Sequence, residues 1–284
     1  MTILITAASG QLGRLVLDSL LQRGVDPTTL RAGARTPASL ASYAERGVDV
    51  VHLDYSDPAT VLAAAQGVDR VLLISSSEVG QRVAQHQSVI DAAVAHGIGH
   101  LVYTSAPQAT TADFVLAPEH KATEEAIAAS GVPATILRNN WYHENYADAL
   151  ATARDTGLVT TSAGDGRVAG AARRDFAEGA AVVLTTDGHA GQVYELAGDV
   201  EFDFDLLAAA FAEVLGREVR VQQLTTAEHV ALLESFGLDA GTAGFVAGID
   251  DGIRRGVLAG PDGTLSRLLG RPTTPLVDGL RPLA

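Results

Sequence analysis

The chain has no cysteine in 284 residues, which excludes disulfides, thiolate metal sites and a cysteine nucleophile together. Lysine is nearly absent as well: Lys121 is the only one, and every other basic chain is an arginine or histidine. No His-Glu-x-x-His or comparable ligand cluster occurs, and Gly97 and Gly99 spoil the helical spacing of His96 and His100, so no metal site is expected. Gly-x-Ser-x-Gly is missing, and with it the usual hydrolase elbow. No apolar run reaches the roughly 18 residues of a membrane span, and no basic segment precedes the first apolar run. The expectation is a cytoplasmic protein with no membrane span. Acidic side chains outnumber basic ones by 34 to 20, and the net charge of −14 repels phosphate backbones. Nucleic acid is therefore not an expected partner, although a local basic pocket can still take a small phosphorylated ligand.

What is present is a rhythm. Short β-branched runs (TILIT, TLRAG, VDVVHL, RVLLIS, HLVYTS, PATILR) alternate with segments of helical period such as QLGRLVLDSLLQRG and QRVAQHQSVIDAAVAHG. Pro37 and Pro58 stand where a first helical turn tolerates a missing N–H. The alternation persists to about Arg138 and predicts an α/β fold, a doubly wound parallel sheet of Rossmann type. Beyond it, polar and aromatic NNWYHENY and the runs VYELAG and VRVQQL read as a smaller, mostly helical C-terminal lobe capping the sheet's carboxyl edge. The division expected is 1–150 for the nucleotide-binding domain, with return segments from about 160–190, and 151–284 for the capping lobe. The acidic run VEFDFD is most simply a solvated helix start.

The first strand runs into TAASGQLG, a turn in which Ala7 takes the place of the first glycine of G-x-x-G-x-x-G and is followed by Gly10 and Gly13. In such a turn the first glycine makes the bend, the second admits a phosphate, and the third lets helix pack on strand. Strand, turn and helix in that order suit a pyrophosphate on the helix N-terminus. The competing reading is a structural turn that binds nothing; alanine matters only if position 7 needs a positive φ or its methyl blocks a ligand. A binder of NADH usually carries a carboxylate near the end of the second strand for the adenosine 2′-hydroxyl. Here LRAGARTP offers Arg31 and Arg35 instead. A guanidinium there can fork onto a 2′-phosphate, which favours NADPH over NADH, and Arg35, just beyond the strand, is the better placed of the two.

Two further segments carry polar chemistry. Ser75, Ser76 and Ser77 end the fourth strand, where open α/β sheets bind ligands; their alternative is to cap the next helix. LRNNWYHENY sets the only tryptophan beside Tyr142, Tyr146 and three asparagines, either to receive a flat, partly polar ring or to pack between the lobes.

With these residues in view, the chain resembles the NADPH-dependent quinone oxidoreductases of the NmrA-like group, among the atypical short-chain dehydrogenases. The likeness is carried in order along nearly the whole chain by LITAASGQLGRLVLDSLL, LDYSD, VLLISSSEVGQR, LVYTS, PEHKATEEAI, LRNNWYHENY, SAGDGR, VYELAG and LLGRPTTPL. It implies that the turn Thr6, Ala7, Ala8, Ser9, Gly10, Gln11, Leu12 and Gly13 holds the pyrophosphate and Arg35 the 2′-phosphate. Asp54 and Tyr55 would lie near the adenine, and Ser75, Ser76 and Ser77 along the path toward the nicotinamide ribose. Asn139, Asn140, Trp141 and Tyr142 would line the nicotinamide end, and Arg173 would reach back toward cofactor or substrate. The cofactor implied is NADPH, without metal or flavin, and a homodimer is a reasonable assembly.

The proton donor of ordinary short-chain dehydrogenases is missing. No tyrosine is followed by lysine in Tyr-x-x-x-Lys, and the corresponding helix reads His120-Lys121-Ala122-Thr123-Glu124. His120 could deliver a proton, shape the pocket, or pair with Glu124 on one helix face. A quinone tolerates the loss, because hydride transfer to it leaves a fairly stable hydroquinone anion that water can protonate. No catalytic residue is assigned; His120, Tyr142 and Asn145 are the ones worth mutating. The expected function is hydride transfer from NADPH to a quinone or related conjugated carbonyl. The alternatives are a redox-sensing nucleotide binder without turnover, or a reductase of another carbonyl or imine.

Overall fold

A computed structural model describes residues 1–284. Strand β1 (Ile3–Ile5) is buried at every position, as a central strand covered on both faces requires. It leads into α1 (Gln11–Gln22), which buries Leu12, Val16, Leu17 and Leu20 at helical spacing. The alternation continues through β2 (Leu30–Ala34), α2 (Ala41–Ala44), β3 (Asp49–His52), α3 (Pro58–Ala65) and β4 (Arg70–Leu73). Next come α4 (Arg82–His96), β5 (His100–Ser105), α5 (Ala117–Ser130) and β6 (Ala134–Asn139). Helix α3 starts as its sequence suggests, with Pro58 in the first turn and the Asp57 carboxylate accepting the Ala59 N–H. After β6 follow α6 (Ala147–Thr156), β7 (Leu158–Thr161), α7 (Arg173–Thr185), β8 (Val193–Leu196), α8 (Phe204–Leu215) and β9 (Arg220–Gln223). The chain closes with α9 (Thr226–Ser235), α10 (Ala240–Arg254), α11 (Thr264–Leu269) and α12 (Leu276–Leu280).

Seven strands form one sheet in the order β3-β2-β1-β4-β5-β6-β8, and β7 pairs with β9 in a separate two-stranded ladder. Neighbours from β3 through β6 run parallel. After β3 the chain crosses to the far side of β1 and continues as β4, so the winding reverses between these two strands. In open α/β sheets the crevice outside the carboxyl ends at such a reversal is where ligands bind.

The chain divides into two compact units. The first comprises 1–106, 118–139 and 176–194; Leu4, Val71, Leu73, Val89, Ile90, Leu101 and Tyr103 are in its core. The second comprises 107–117, 140–175 and 195–284; its core gathers Tyr146, Leu150, Phe202, Phe204, Leu207 and Phe211. By this partition 107–117 and 140–150 fall in the second unit, and the return to the first spans 176–194.

Two elements depart from the sequence reading. VYELAG was expected in the smaller lobe, but its strand, β8, joins the large sheet as the seventh member, beside β6. The join is anchored where the Ile136 N–H donates to Gln192 O at 3.0 Å and the Gly191 N–H to Ala134 O at 2.7 Å. The segment ADFVLAPEHKATEEAIAASG has helical period as a whole, but its helix begins only at Ala117, one residue before Pro118. The acidic run starts α8, with the Asp203 carboxylate accepting the Leu206 N–H, while Phe202 and Phe204 are buried.

Candidate functional site

The turn after β1 bends at Ala7, which adopts φ +45°, the left-handed region that a glycine would take without penalty. Gly10 donates its N–H to Ala7 O at 3.0 Å, and Ala8 donates to Gly33 O at 2.9 Å. Gly13 is required by packing: a Cβ there would lie 2.5 Å from Ala7 O and 2.7 Å from Ala8 Cα, both backbone atoms. Helix α1 has Gly10 as its N-cap, with no side chain capping it and no acidic residue in its first turn. Its positive N-terminal end is thereby available to an anion.

That end opens onto a cavity of about 430 Å³ in the first unit. Ala7 and Ser9 to Gly13 form one wall, Arg35, Asp54 and Tyr55 another, and Ser75 to Glu78 with Gln85 a third. Twelve of the residues expected from the sequence therefore surround one space. Thr6 and Ala8 do not line it. Thr6 is fully buried, its hydroxyl donating to Leu72 O at 2.8 Å and accepting the Ile74 N–H at 3.0 Å, which ties the turn to β4. Ala8 is fully buried beneath the turn.

The two arginines of the second strand separate cleanly. Arg31 is spent on structure: its Nε donates to Asp49 at 2.7 Å and its Nη1 to the carbonyls of Ala64 and Gln66. Arg35 projects into the cavity with 71% of its side chain exposed and meets Glu78 at 3.1 Å. Glu78 and Gln85 were not foreseen as site residues. They belong to SSSEVGQR and the following helix, and nothing in local periodicity says that this loop folds back to the end of β2.

The serine loop is held from behind. Ser75 donates its N–H to Thr104 Oγ1 at 2.9 Å, and Ser76 donates its N–H to His86 Nε2 at 2.9 Å. Burial first, and the nearby Arg82 second, push the His86 pKa down to about 3, so the ring stays neutral and can accept that bond. Arg82 is buried and donates to Ser76 O at 2.7 Å and to Glu119 at 3.0 Å, while Glu119 also accepts the Gly80 N–H. The serines do not cap α4, whose N-cap is Gln81 without any side-chain cap bond. Their free face is toward the cavity.

His120 and Glu124 do not pair. His120 is buried with Nδ1 2.7 Å from the Tyr103 hydroxyl, and burial first and Arg82 second push its pKa down to about 3. A ring so held is neutral at physiological pH and is not a proton reservoir. Glu124 instead accepts from the Ser105 hydroxyl at 2.6 Å and from Arg138 through Nε and Nη2 at 3.0 and 2.6 Å. Sharing a helix face brought the two side chains to one layer but not to each other.

Asn139 closes β6 in the first unit, and the rest of its motif belongs to the second. Asn140 is committed to backbone, donating to Leu258 O and accepting the Trp141 N–H, and Trp141 packs on the second unit's core. Tyr142, Asn145 and Arg173 form a cluster: the Arg173 guanidinium stacks 4.8 Å from the Tyr142 ring centre and lies 3.4 Å from Asn145 Oδ1. Glu144 accepts the Arg173 N–H at the start of α7. No group of three or more His, Asp or Glu side chains is placed to hold a metal, and no helix is long and apolar enough to cross a membrane.

A tight turn into an uncapped helix N-terminus, a switch-point cavity and a cationic residue beyond β2 are the marks of a dinucleotide-binding protein. The comparison with known proteins agrees: residues 7–187 match the NAD(P)H-binding family model. The chain belongs to the NAD(P)H-binding family. It is 44% identical to quinone oxidoreductase 2 of Escherichia coli over 281 residues, 99% of this chain and 98% of that one. The crystal structure of an NADPH-dependent quinone oxidoreductase from Escherichia coli complexed with NADPH superposes with a TM-score of 0.95, at 44% identity and 99% coverage of both chains. Triphenylmethane reductase of Citrobacter sp., complexed with NADP(H), follows at a TM-score of 0.93, with 33% identity and full coverage of both chains.

Proposed function

We propose that this protein transfers hydride from NADPH to a quinone-class acceptor. The observation that carries the reading is a single cavity with the uncapped N-terminus of α1 on one wall and Arg35 on another. A pyrophosphate suits the first and a 2′-phosphate the second. The donor set fits the cofactor in one further respect. Gln85 is buried at the cavity wall, and its Oε1 has no hydrogen-bond partner, which suits the amino or hydroxyl groups of an adenosine.

When bound, NADPH supplies a hydride. The chain's own part is to orient and exclude. Ser75 to Ser77, in a loop fixed from behind by Thr104, His86 and Arg82, line the cavity. Asp54 and Tyr55 form the wall assigned to the adenine, and Asn139, Asn140, Trp141, Tyr142 and Arg173 are assigned to the nicotinamide end on the strength of the resemblance. Neutral, buried His120 leaves final protonation to water, which a hydroquinone anion permits and a simple alkoxide does not. The likeness to Escherichia coli quinone oxidoreductase 2 over the full chain supports the same acceptor class.

The test is NADPH oxidation by the purified protein with and without a small benzoquinone. Quinone-dependent oxidation with stoichiometric hydroquinone supports the proposal. Tight NADPH binding with no turnover on quinones, ketones or imines would make the protein a nucleotide sensor instead.

A further inference from the structure

The second strand lacks the carboxylate that usually takes an adenosine 2′-hydroxyl, yet the fold returns one to the same place from another strand. Glu78, on the loop after β4, sets Oε1 3.1 Å from Arg35 Nη1. It is held there independently of the arginine: Oε2 accepts from Gln85 Nε2 at 2.8 Å, and the Glu78 N–H donates to Ser76 Oγ at 3.1 Å. Gln85 Nε2 is in turn 3.1 Å from Ser56 Oγ. Arg35, Glu78 and Gln85 all line the cavity of about 430 Å³.

We propose that Glu78 is a specificity-determining residue that competes with the cofactor's 2′-phosphate for Arg35 and offers itself to a 2′-hydroxyl, narrowing the preference for NADPH over NADH. The proposal rests on the reading of Arg35 as the 2′-phosphate partner. The Arg35 and Glu78 side chains are 71% and 46% exposed, so their pair is weak and exchangeable. An incoming phosphate takes the guanidinium, but the Gln85 contact keeps the Glu78 carboxylate nearby, where like charge opposes the phosphate. With NADH there is no such opposition, and the carboxylate is a ready acceptor for the free hydroxyl. The two sugars are thus read by one arginine and one carboxylate from different strands.

Calorimetric titration of the full chain with ADP-ribose and with 2′-phospho-ADP-ribose tests this without catalysis. Glu78→Gln removes the charge and keeps one acceptor oxygen for Arg35, while its amide NH2 meets Gln85, whose unpartnered Oε1 can accept from it once that amide turns. Its affinity for the phosphorylated ligand should rise and that for ADP-ribose fall, widening their ratio by about three- to five-fold, the scale of one exposed charge pair. Arg35→Met alone, with Glu78 retained, should bring the ratio toward unity. An unchanged or narrower ratio in Glu78→Gln, beside a collapsed ratio in Arg35→Met, overturns the role of Glu78 alone. A ratio that survives Arg35→Met overturns the 2′-phosphate reading, and the role of Glu78 falls with it.

Discussion

Replacing Ala7 by glycine should make the protein more stable. Ala7 sits at φ +45°, and a left-handed conformation costs an L-residue about 1–2 kcal/mol that glycine does not incur. Glycine gives back about 0.4–1 kcal/mol through the looser unfolded chain. The methyl group is only half-buried, so losing its contacts costs roughly a further 0.4 kcal/mol. The balance is a gain of about 0.5 kcal/mol, or roughly 1–2 °C in Tm for a chain of this size. Ala7→Val perturbs the same torsion the other way, because a β-branched residue tolerates positive φ worst, and should lose about 1–2 kcal/mol. The bonds that define the turn, Gly10 N–H to Ala7 O and Ala8 N–H to Gly33 O, involve backbone alone and survive both changes. Urea midpoints for the three proteins, at constant denaturant slope, give the ordering Gly, then Ala, then Val. Equal midpoints, or a glycine variant that is the weakest of the three, would refute the claim that the turn stores strain at position 7.

Three other outcomes follow from the same structure. Gly13→Ala drives a Cβ to 2.5 Å from Ala7 O and should cost about 3 kcal/mol or more, visible in the urea midpoint; a loss below about 1 kcal/mol would mean that α1 shifts freely on the turn. Glu124→Ala removes the buried carboxylate that Arg138 and Ser105 share and should cost about 3 kcal/mol, with Glu124→Leu/Arg138→Met recovering most of it; a double variant as weak as the single one contradicts this account of the pair. Burial lowers the pKa of His86 and His120 to about 3 and of His143 to about 4, against an unfolded value near 6.5. Folded-state values below the unfolded one mean that the unfolded chain takes up protons first, so stability holds above pH 6.5 and falls as pH drops from 6.5 toward 4. Each histidine costs about 2 kcal/mol at pH 5. Urea titrations from pH 7.5 to 5 measure this, and His120→Gln should lower the slope by about one proton; an unchanged slope would mean that His120 is protonated in the fold.

Most of the six parallel strands were legible as short β-branched runs, β2 (LRAGA) only by its place in the alternation, and the helices between them announce themselves by period, proline and glycine. β8 was legible as a strand but not as a member of the large sheet. Its residues are exposed or half-buried up to Leu196, a pattern that any edge strand shows, so its partner is decided only by the chain's return through α7. Ala7 marked the question that the sequence could not answer, since a torsion is not written in a residue type. Arg35 was readable as a cation at the end of β2, whereas Glu78 lies 43 positions away and reaches it only through the sheet. His120 and Glu124 show the reverse failure: correct spacing on one helix face, but deeper partners on β5 and β6 that outcompete a pair between them.

The most direct measurement of the central claim is a crystal structure of the protein with NADPH. The account expects the pyrophosphate against the backbone of Ser9 to Gly13 at the start of α1, and the 2′-phosphate within hydrogen-bond distance of Arg35. Cofactor density in another cavity, or a 2′-phosphate turned away from Arg35, would contradict it.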